Sequence, residues 1–139
     1  MAGIRKDNYA VQVVLDGQDL GVWDKKTGGE VDSDDTTYKP GGMAPRVSLG
    51  GSVNVGNVTL SRLFDLSRDQ QIIHWLISRV GKGWLVVKQT PLDQDGNNLG
   101  WAPVTYQGVL KTVTPPEVDS TSSDAAELEL QMTPSGLVT

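Results

Sequence analysis

The sequence contains no cysteine, a single histidine (His74) and no apolar run long enough to cross a membrane. Without cysteine there can be neither a disulfide framework nor thiol chemistry. A single histidine cannot form a metal site built from several histidines, and it argues against a catalytic base that a second residue orients. No stretch approaches the roughly 20 apolar residues of a spanning helix, so we predict no membrane insertion of this chain. We expect neither an enzyme nor a bound cofactor.

Basic residues are also in short supply. The chain has 12 Lys and Arg against 17 Asp and Glu, for a net charge of −5. Tight binding to nucleic acid needs a basic patch that neutralises phosphates, so this charge balance argues against it. A surface past which nucleic acid slides without sticking remains compatible with the charge.

Two other patterns are weak signals for ligand binding. Asp93, Asp95 and Asn97 resemble part of a calcium loop, but an EF-hand needs glycine at its sixth position and Glu at its twelfth. Here Gly96 is fourth and Val104 is twelfth, so we interpret this stretch as a turn. Four tryptophans could form a platform for sugars, although two lie in predicted core elements and favour packing.

One stretch has the pattern of a capped helix between strands. Ser67 and Gln70 have the spacing of a capping box, and Gly81 follows the last apolar residue, as a left-handed C-cap requires. Apolar residues at helical spacing between these positions predict a helix over Arg68–Val80. Val58 and Leu60 before it indicate a strand, and Trp84–Val87 after it indicate a buried strand. We expect this helix to cover one open side of a β-structure.

The rest of the chain reads as strands and turns. Two stretches alternate clearly, with Tyr9, Val11, Val13 and Leu15 inward in one and Ala126, Leu128, Leu130 and Met132 inward in the other. Asp16-Gly17 predicts a hairpin whose second strand places Leu20 and Val22 on one face and Trp23 on the other. We expect bulges at Gly56-Asn57 and at Gly108. Seven or eight strands and one flanking helix predict a β-sandwich or small barrel, as a single domain over residues 1–139 with short terminal tails.

The segment Lys25–Pro45 shows no periodicity. Loops of about twenty residues are uncommon in small domains and are usually functional or disordered. One interpretation is a mobile surface loop. The other is an arm that orders against a neighbouring subunit, using the contact residues Lys25, Val31, Asp32, Asp34, Asp35, Tyr38, Met43 and Pro45.

The order of these elements resembles the tail tube proteins of long-tailed bacteriophages and the related tubes of contractile injection systems and type VI secretion. The resemblance covers roughly Ile4–Met132. It depends on the strand Val58–Arg62, on Asp69 and Trp75 in the helix, on Trp101–Pro103 and on Glu127–Leu130. None of these pieces is a catalytic signature.

The resemblance implies a structural subunit of which six copies close into a ring. The inner strands of the ring would form one continuous β-barrel, and stacked rings would form the hollow tail tube of a virion, assembled in the host cytoplasm, through which DNA or other cargo passes. The implied partners are further copies, the tape-measure, baseplate or tail-tip and terminator proteins, and a sheath protein if the tail contracts. Alternatives are a single-ring terminator or baseplate protein and a monomeric carbohydrate-binding β-sandwich. For the lumen wall we expect acidic residues to outnumber basic ones, with the candidates Ser52, Asn54, Thr105, Gln107, Glu127 and Glu129.

Overall fold

The computed structural model describes residues 3–135, which form nine β-strands and one α-helix. The fold is mainly β with one helix, as the sequence predicts. The elements in chain order are β1 (Tyr9–Leu15), β2 (Gln18–Trp23), β3 (Lys25–Gly28), β4 (Val31–Tyr38), β5 (Val47–Val55), β6 (Val58–Leu63), α1 (Leu66–Ser78), β7 (Trp84–Pro91), β8 (Val104–Thr114) and β9 (Glu127–Pro134).

Seven of the strands form one antiparallel sheet in the order β2-β1-β7-β8-β9-β6-β3, while β4 and β5 form a separate two-stranded sheet. The two outermost strands of the large sheet, β2 and β3, are consecutive in the chain and are separated only by Asp24. The backbone N–H of Asp24 donates to the carbonyl of Ser61 at 3.1 Å, and its carboxylate accepts from the backbone N–H of Leu63 at 3.0 Å. The sheet therefore curls toward closure as a half-barrel.

The core fills the concave side of this half-barrel. The alternation predicted for β1 and β9 is confirmed for the residues that are fully buried, Val13, Leu15, Leu128, Leu130 and Met132. The prediction is wrong for Ala126, which precedes β9 and is exposed. The helix contributes Ile73 and Leu76 to the same core, so it covers an open part of the half-barrel as expected.

The helix begins earlier than the sequence predicts, and a different residue caps it. Asp65, not Ser67, is the N-cap, because its carboxylate accepts the backbone N–H groups of Ser67 and Arg68 at 3.0 and 3.4 Å. Ser67 instead donates its hydroxyl to the same carboxylate at 2.7 Å. The helix also ends earlier than predicted, at Ser78 with Arg79 as its C-cap, so Gly81, whose φ is 79°, lies beyond the cap and not at it.

A bulge explains where the predicted faces of β2 are wrong, and the bulge predicted at Gly108 lies elsewhere. A bulge between β1 and β2 leaves Leu20 without a partner, and Gly21 takes a φ of 82° there. The bulge shifts the parity of β2, so that Trp23 is buried beside Leu20 while Val22 is 60% exposed. In β8 the irregular position is Lys111, not Gly108. Gly108 is required by packing, because a Cβ there would lie 2.0 Å from the carbonyl oxygen of Thr133.

The description of Lys25–Pro45 as a segment without secondary structure is wrong. It contains β3, which pairs with β6, all of β4, and the tip of a long hairpin. The predicted irregularity at Gly56-Asn57 is where the chain crosses from the small sheet to the large one, since Gly56 N–H donates to Glu30 and Gly29 N–H donates to Asn57. Strand β9 continues to Pro134, which leaves only a few residues for the predicted C-terminal tail. Residues 1–2 of the predicted N-terminal tail and residues 136–139 of the C-terminal tail lie outside the described residues.

Candidate assembly surfaces

Residues 31–55 form a β-hairpin, here called the arm, that stands apart from the half-barrel. Its strands β4 and β5 pair antiparallel from Val31 opposite Val55 to Tyr38 opposite Val47. Every residue of β4 is exposed, as is every residue of β5 except Val55, which packs against the core. Eight residues of strand span about 27 Å, so the arm is long compared with a domain of this size.

The arm exposes several apolar side chains to solvent. Tyr38, Val47 and Leu49 lie on one face, at exposures of 60%, 46% and 48%, while Val31 and Val53 lie on the other at 56% and 57%. Two-stranded hairpins are marginally stable in water by themselves. An exposed apolar surface of this kind marks an interaction site. The arm therefore has the properties of a segment that another surface covers.

The acidic cluster of the arm is partly engaged within the hairpin. The carboxylate of Asp35 accepts from the Ser48 hydroxyl at 2.5 Å, and that of Asp34 accepts from the Asn54 amide at 2.8 Å. These bonds join β4 to β5 on either side of a bulge between Ser33 and Asp35. Two carboxylates that looked like contacts for a neighbour thus also hold the two strands in register.

The predicted contact residues do not all lie on the arm. Val31, Asp32, Asp34, Asp35 and Tyr38 are in β4, and Met43 and Pro45 are in the connection to β5. Lys25 is elsewhere, because it begins β3 and its Nζ lies 3.9 Å from the Glu127 carboxylate. No pattern in the sequence identifies β5 as part of the arm, although Val47, Leu49 and Val53 carry much of the arm's apolar surface.

The residues predicted to line a lumen fall into two separate groups. Ser52 and Asn54 are on the arm, whereas Thr105, Gln107, Glu127 and Glu129 are on the convex side of the large sheet, away from the core. On that side Thr105 stands opposite Lys88 and Glu129 stands opposite Ser61. The convex side therefore carries both signs of charge.

Acidic groups concentrate where β8 turns into β9. A surface depression of about 430 Å³ is lined there by five carboxylates, those of Glu117, Asp119, Asp124, Glu127 and Glu129. None of these residues belongs to a group with metal-binding geometry, since residues 3–135 contain no such group of three or more His, Asp or Glu. The depression is an acidic surface at one end of the half-barrel.

A buried ion pair, which the sequence reasoning missed, holds the helix to the sheet. Arg62 and Asp69 have side chains only 2% and 0% exposed, and their Nη2 and Oδ1 atoms are 2.5 Å apart. Nη1 of Arg62 also donates to the backbone carbonyl of Leu20, and the guanidinium lies 4.3 Å from the centroid of the Trp23 ring. One guanidinium therefore ties together β6, α1 and β2. The sequence does contain a sign of this buried arginine, since alternation along the strand places Arg62 on the same inward face as Val58 and Leu60.

Ionisation of Asp69 is favoured by its neighbours. Burial opposes the charged form, but hydrogen bonds from Arg68 and from the backbone N–H of Asp65, with the positive charge of Arg62, outweigh it. The pKa of Asp69 is therefore lowered. Burial also lowers the pKa of Arg62, and the negative charge of Asp69 opposes that effect. Since an arginine stays protonated in proteins, both partners are charged near neutral pH.

The exposed tryptophans do not form a shared binding platform. Trp23 is buried, contrary to its role as a candidate sugar contact, while Trp84 and Trp101 are 42% and 71% exposed. Trp84 is the first residue of β7, whereas Trp101 lies in the connection that follows Pro91, the last residue of β7. The eight residues between those ends of β7 span about 27 Å, too far for one sugar unit. The prediction of a buried strand from Trp84 is correct only for Leu85 and Val87, which are fully buried.

The remaining candidate sites have structural explanations. One carboxylate oxygen of Asp93 accepts the backbone N–H groups of Asp95 and Asn97, at 2.9 and 2.8 Å, which closes the predicted turn. His74 is exposed on the solvent side of α1. Within residues 3–135 no helix is both long and apolar enough to span a bilayer.

Comparisons with protein-family profiles and with curated proteins find no match. Solved structures do match. A chain of the sheath-tube complex of an extracellular contractile injection system, PVC, in its extended state is 19% identical, with a TM-score of 0.70 over 99% of this chain and 90% of that chain. A chain of the anti-feeding prophage baseplate is 14% identical, with a TM-score of 0.72 over 98% of this chain and 94% of that chain. A chain of the tube-terminating cap of the anti-feeding prophage is 16% identical, with a TM-score of 0.69 over 96% of this chain and 88% of that chain. The fold that the sequence resemblance implied is therefore the fold of this chain, which it shares with components of contractile injection systems.

Proposed function

We propose that this chain is a structural subunit that assembles with further copies of itself into rings, and that the rings stack into a hollow tube. The observation that carries the proposal is the arm. It exposes apolar side chains on both faces and has no core of its own, which suits a segment completed by a neighbouring copy. The shared fold supports the same role, since the matching chains come from sheath-tube, cap and baseplate assemblies.

The finer parts of the proposal follow from that role. Six copies would make each ring, with the convex side of the large sheet contributing to one continuous barrel wall. The chain would act with tape-measure, baseplate or tail-tip, terminator and sheath proteins in a phage tail or a related injection particle. Its role is mechanical and not enzymatic, and DNA or another cargo would pass through the bore without tight binding.

Electron microscopy of the purified protein in negative stain tests the proposal, with an arm-less variant beside it. The variant replaces residues 32–54 by Asn-Gly, because Val31 and Val55 face each other across the hairpin and a two-residue turn can join them. We expect hollow tubes from the wild type and only folded monomers from the variant. Circular dichroism and thermal unfolding of the variant establish that the half-barrel remains intact.

Three outcomes are informative. Tubes of normal appearance from the arm-less variant would refute the role of the arm. Single rings that never stack would favour the terminator or baseplate alternative. A wild-type protein that stays monomeric at high concentration, even with a preformed seed, would refute self-assembly.

A further inference from the structure

An apolar cleft lies where the N-terminal segment meets the connection between β7 and β8. It has a volume of about 470 Å³, and its apolar lining is Ile4, Tyr9, Pro91, Leu92, Leu99 and Trp101. Three of these side chains are open to solvent, with Trp101 71%, Leu99 46% and Ile4 42% exposed. A large aromatic ring in a partly formed pocket is the kind of group that anchors protein–protein contacts.

The cleft and the root of the arm lie at the same end of the half-barrel. Tyr9 pairs with Pro91, and Gln89 pairs with Val104, which places the start of β1, the end of β7 and the start of β8 at that end. In an antiparallel sheet the end of β9, the start of β6 and the end of β3 then lie there too. The arm leaves the sheet immediately after β3 and returns immediately before β6. The start of α1 and the connection over residues 115–126 lie at the opposite end.

The arm tip is apolar, like the cleft, and the charges beside the tip are opposite to those beside the cleft. Met43 at the tip is fully exposed, and methionine is a flexible apolar side chain that contacts aromatic rings favourably. Lys39 and Arg46 flank the tip, whereas the connection that borders the cleft carries Asp93 and Asp95. The other charged side chain that lines the cleft, Arg5, is paired with Asp7 at 2.7 Å.

We infer that the arm tip of one copy docks in the cleft of a copy beside it, with Met43 against Trp101 and Leu99. In this arrangement Lys39 and Arg46 face Asp93 and Asp95. The arm root and the cleft share one end of the subunit, and a hairpin about 27 Å long is long enough to reach from one copy to another. This inference rests on the proposed self-assembly and specifies its partner surface.

Cysteine cross-linking tests the inference cleanly, because the natural sequence has no cysteine. The test variant carries Met43→Cys and Leu99→Cys, and the control variant carries Met43→Cys and Val118→Cys. Val118 is 94% exposed and lies in the connection at the opposite end, so it matches Leu99 in access but not in position. Each variant is assembled, oxidised and run on a denaturing gel without reductant. We expect a ladder of covalent multimers from the Leu99 variant and none from the Val118 variant.

The outcomes separate this inference from the proposed function. Tubes that form without a ladder from the Leu99 variant, or with a ladder from the Val118 variant, would overturn the arm-to-cleft contact while leaving self-assembly intact. A ladder from Val118 would mean that the tip contacts the opposite end of another copy. Failure of the wild type to form rings or tubes would instead overturn the proposed function.

A charge exchange gives a second readout that needs no cysteine. Arg46→Glu should raise the protein concentration needed for assembly by about tenfold, because it replaces attraction to Asp95 by repulsion. Adding Asp95→Arg should restore assembly toward the wild-type concentration. Asp95 is the suitable partner because Asp93 is occupied in closing its own turn. Absence of rescue in the double variant would count against the contact.

Discussion

Removal of the Asp69 carboxylate should strongly destabilise the subunit before any assembly takes place. In Asp69→Ala the Arg62 guanidinium stays inside the protein without its ion-pair partner. Its remaining contacts are the carbonyl of Leu20 and the face of the Trp23 ring. The Nε atom of Arg62 already has no hydrogen-bond partner, so Asp69→Ala would add to the unpaired polar groups of this buried side chain.

The expected cost is large because both partners are buried. Removing one partner of a buried ion pair typically costs about 3–5 kcal/mol. A small domain has a total unfolding free energy of roughly 5–15 kcal/mol, so this loss is a large share of it. Replacing both residues by methionine should cost less than Asp69→Ala alone, since apolar groups of similar size leave no stranded charge.

Urea unfolding followed by circular dichroism measures these effects on the monomer. Asp65→Asn is the matched control, because Asp65 is one helical turn away and asparagine caps a helix about as well as aspartate. We expect a change below about 0.5 kcal/mol for the control. An Asp69→Ala variant within about 1 kcal/mol of the wild type, at an unchanged dependence on urea, would refute the argument that this ion pair holds helix and sheet together.

Other features of the chain make predictions of the same kind. Gly108→Ala should destabilise the subunit by several kcal/mol, because its Cβ would press on the backbone of β9, whereas Gly50→Ala has open space and should be nearly neutral in thermal unfolding. Folding lowers the pKa of Asp69, so the stability that its charge contributes is present above its unfolded pKa of about 3.9 and is lost as the pH falls through the folded value. In an acid titration, Asp69→Asn should therefore lose less unfolding free energy than the wild type. Amide exchange over residues 31–55 should be fast in the monomer and slow in the assembly, and equal rates would contradict burial of the arm. In a structure of the assembled tube, carboxylates should outnumber Lys and Arg along the bore, and a bore lined mainly by Lys82, Lys88 and Lys111 would refute this expectation.

The elements with one buried face were the ones that sequence reasoning predicted well. Alternation in β1 and β9 exists because the core removes every second side chain from water, so the pattern is written in the residue types. The pattern locates the helix for the same reason, although the helix starts at Leu66 and its cap is Asp65, not the predicted Ser67. Both residues are good caps, and only the geometry shows which carboxylate or hydroxyl accepts the free N–H groups.

The arm could not be recognised as a hairpin because neither of its faces is buried within the subunit. Periodicity in a strand reflects a difference between its two sides, and β4 has none, since every residue is exposed. Its anchors Tyr38 and Met43 were identified from their apolar character alone. The apolar residues of β5 join the arm through strand pairing, and the cleft around Trp101 forms through the positions of loops. Spacing along the chain encodes neither.

A bulge accounts for the wrong faces predicted in β2. One extra residue at Leu20 reverses the face of every residue after it, which buries Trp23 and exposes Val22. The role of Arg62 was missed for a different reason. An arginine at an inward position requires a buried partner, and that partner, Asp69, lies on the helix rather than on a neighbouring strand.

Cryo-electron microscopy of the purified protein at high concentration shows whether the chain builds a hollow assembly from copies of itself. We expect stacked six-fold rings around an open bore, with residues 31–55 of each copy covered by a neighbour. A preparation that contains only dispersed monomers at every concentration, including with a preformed tube end added as a seed, would contradict it.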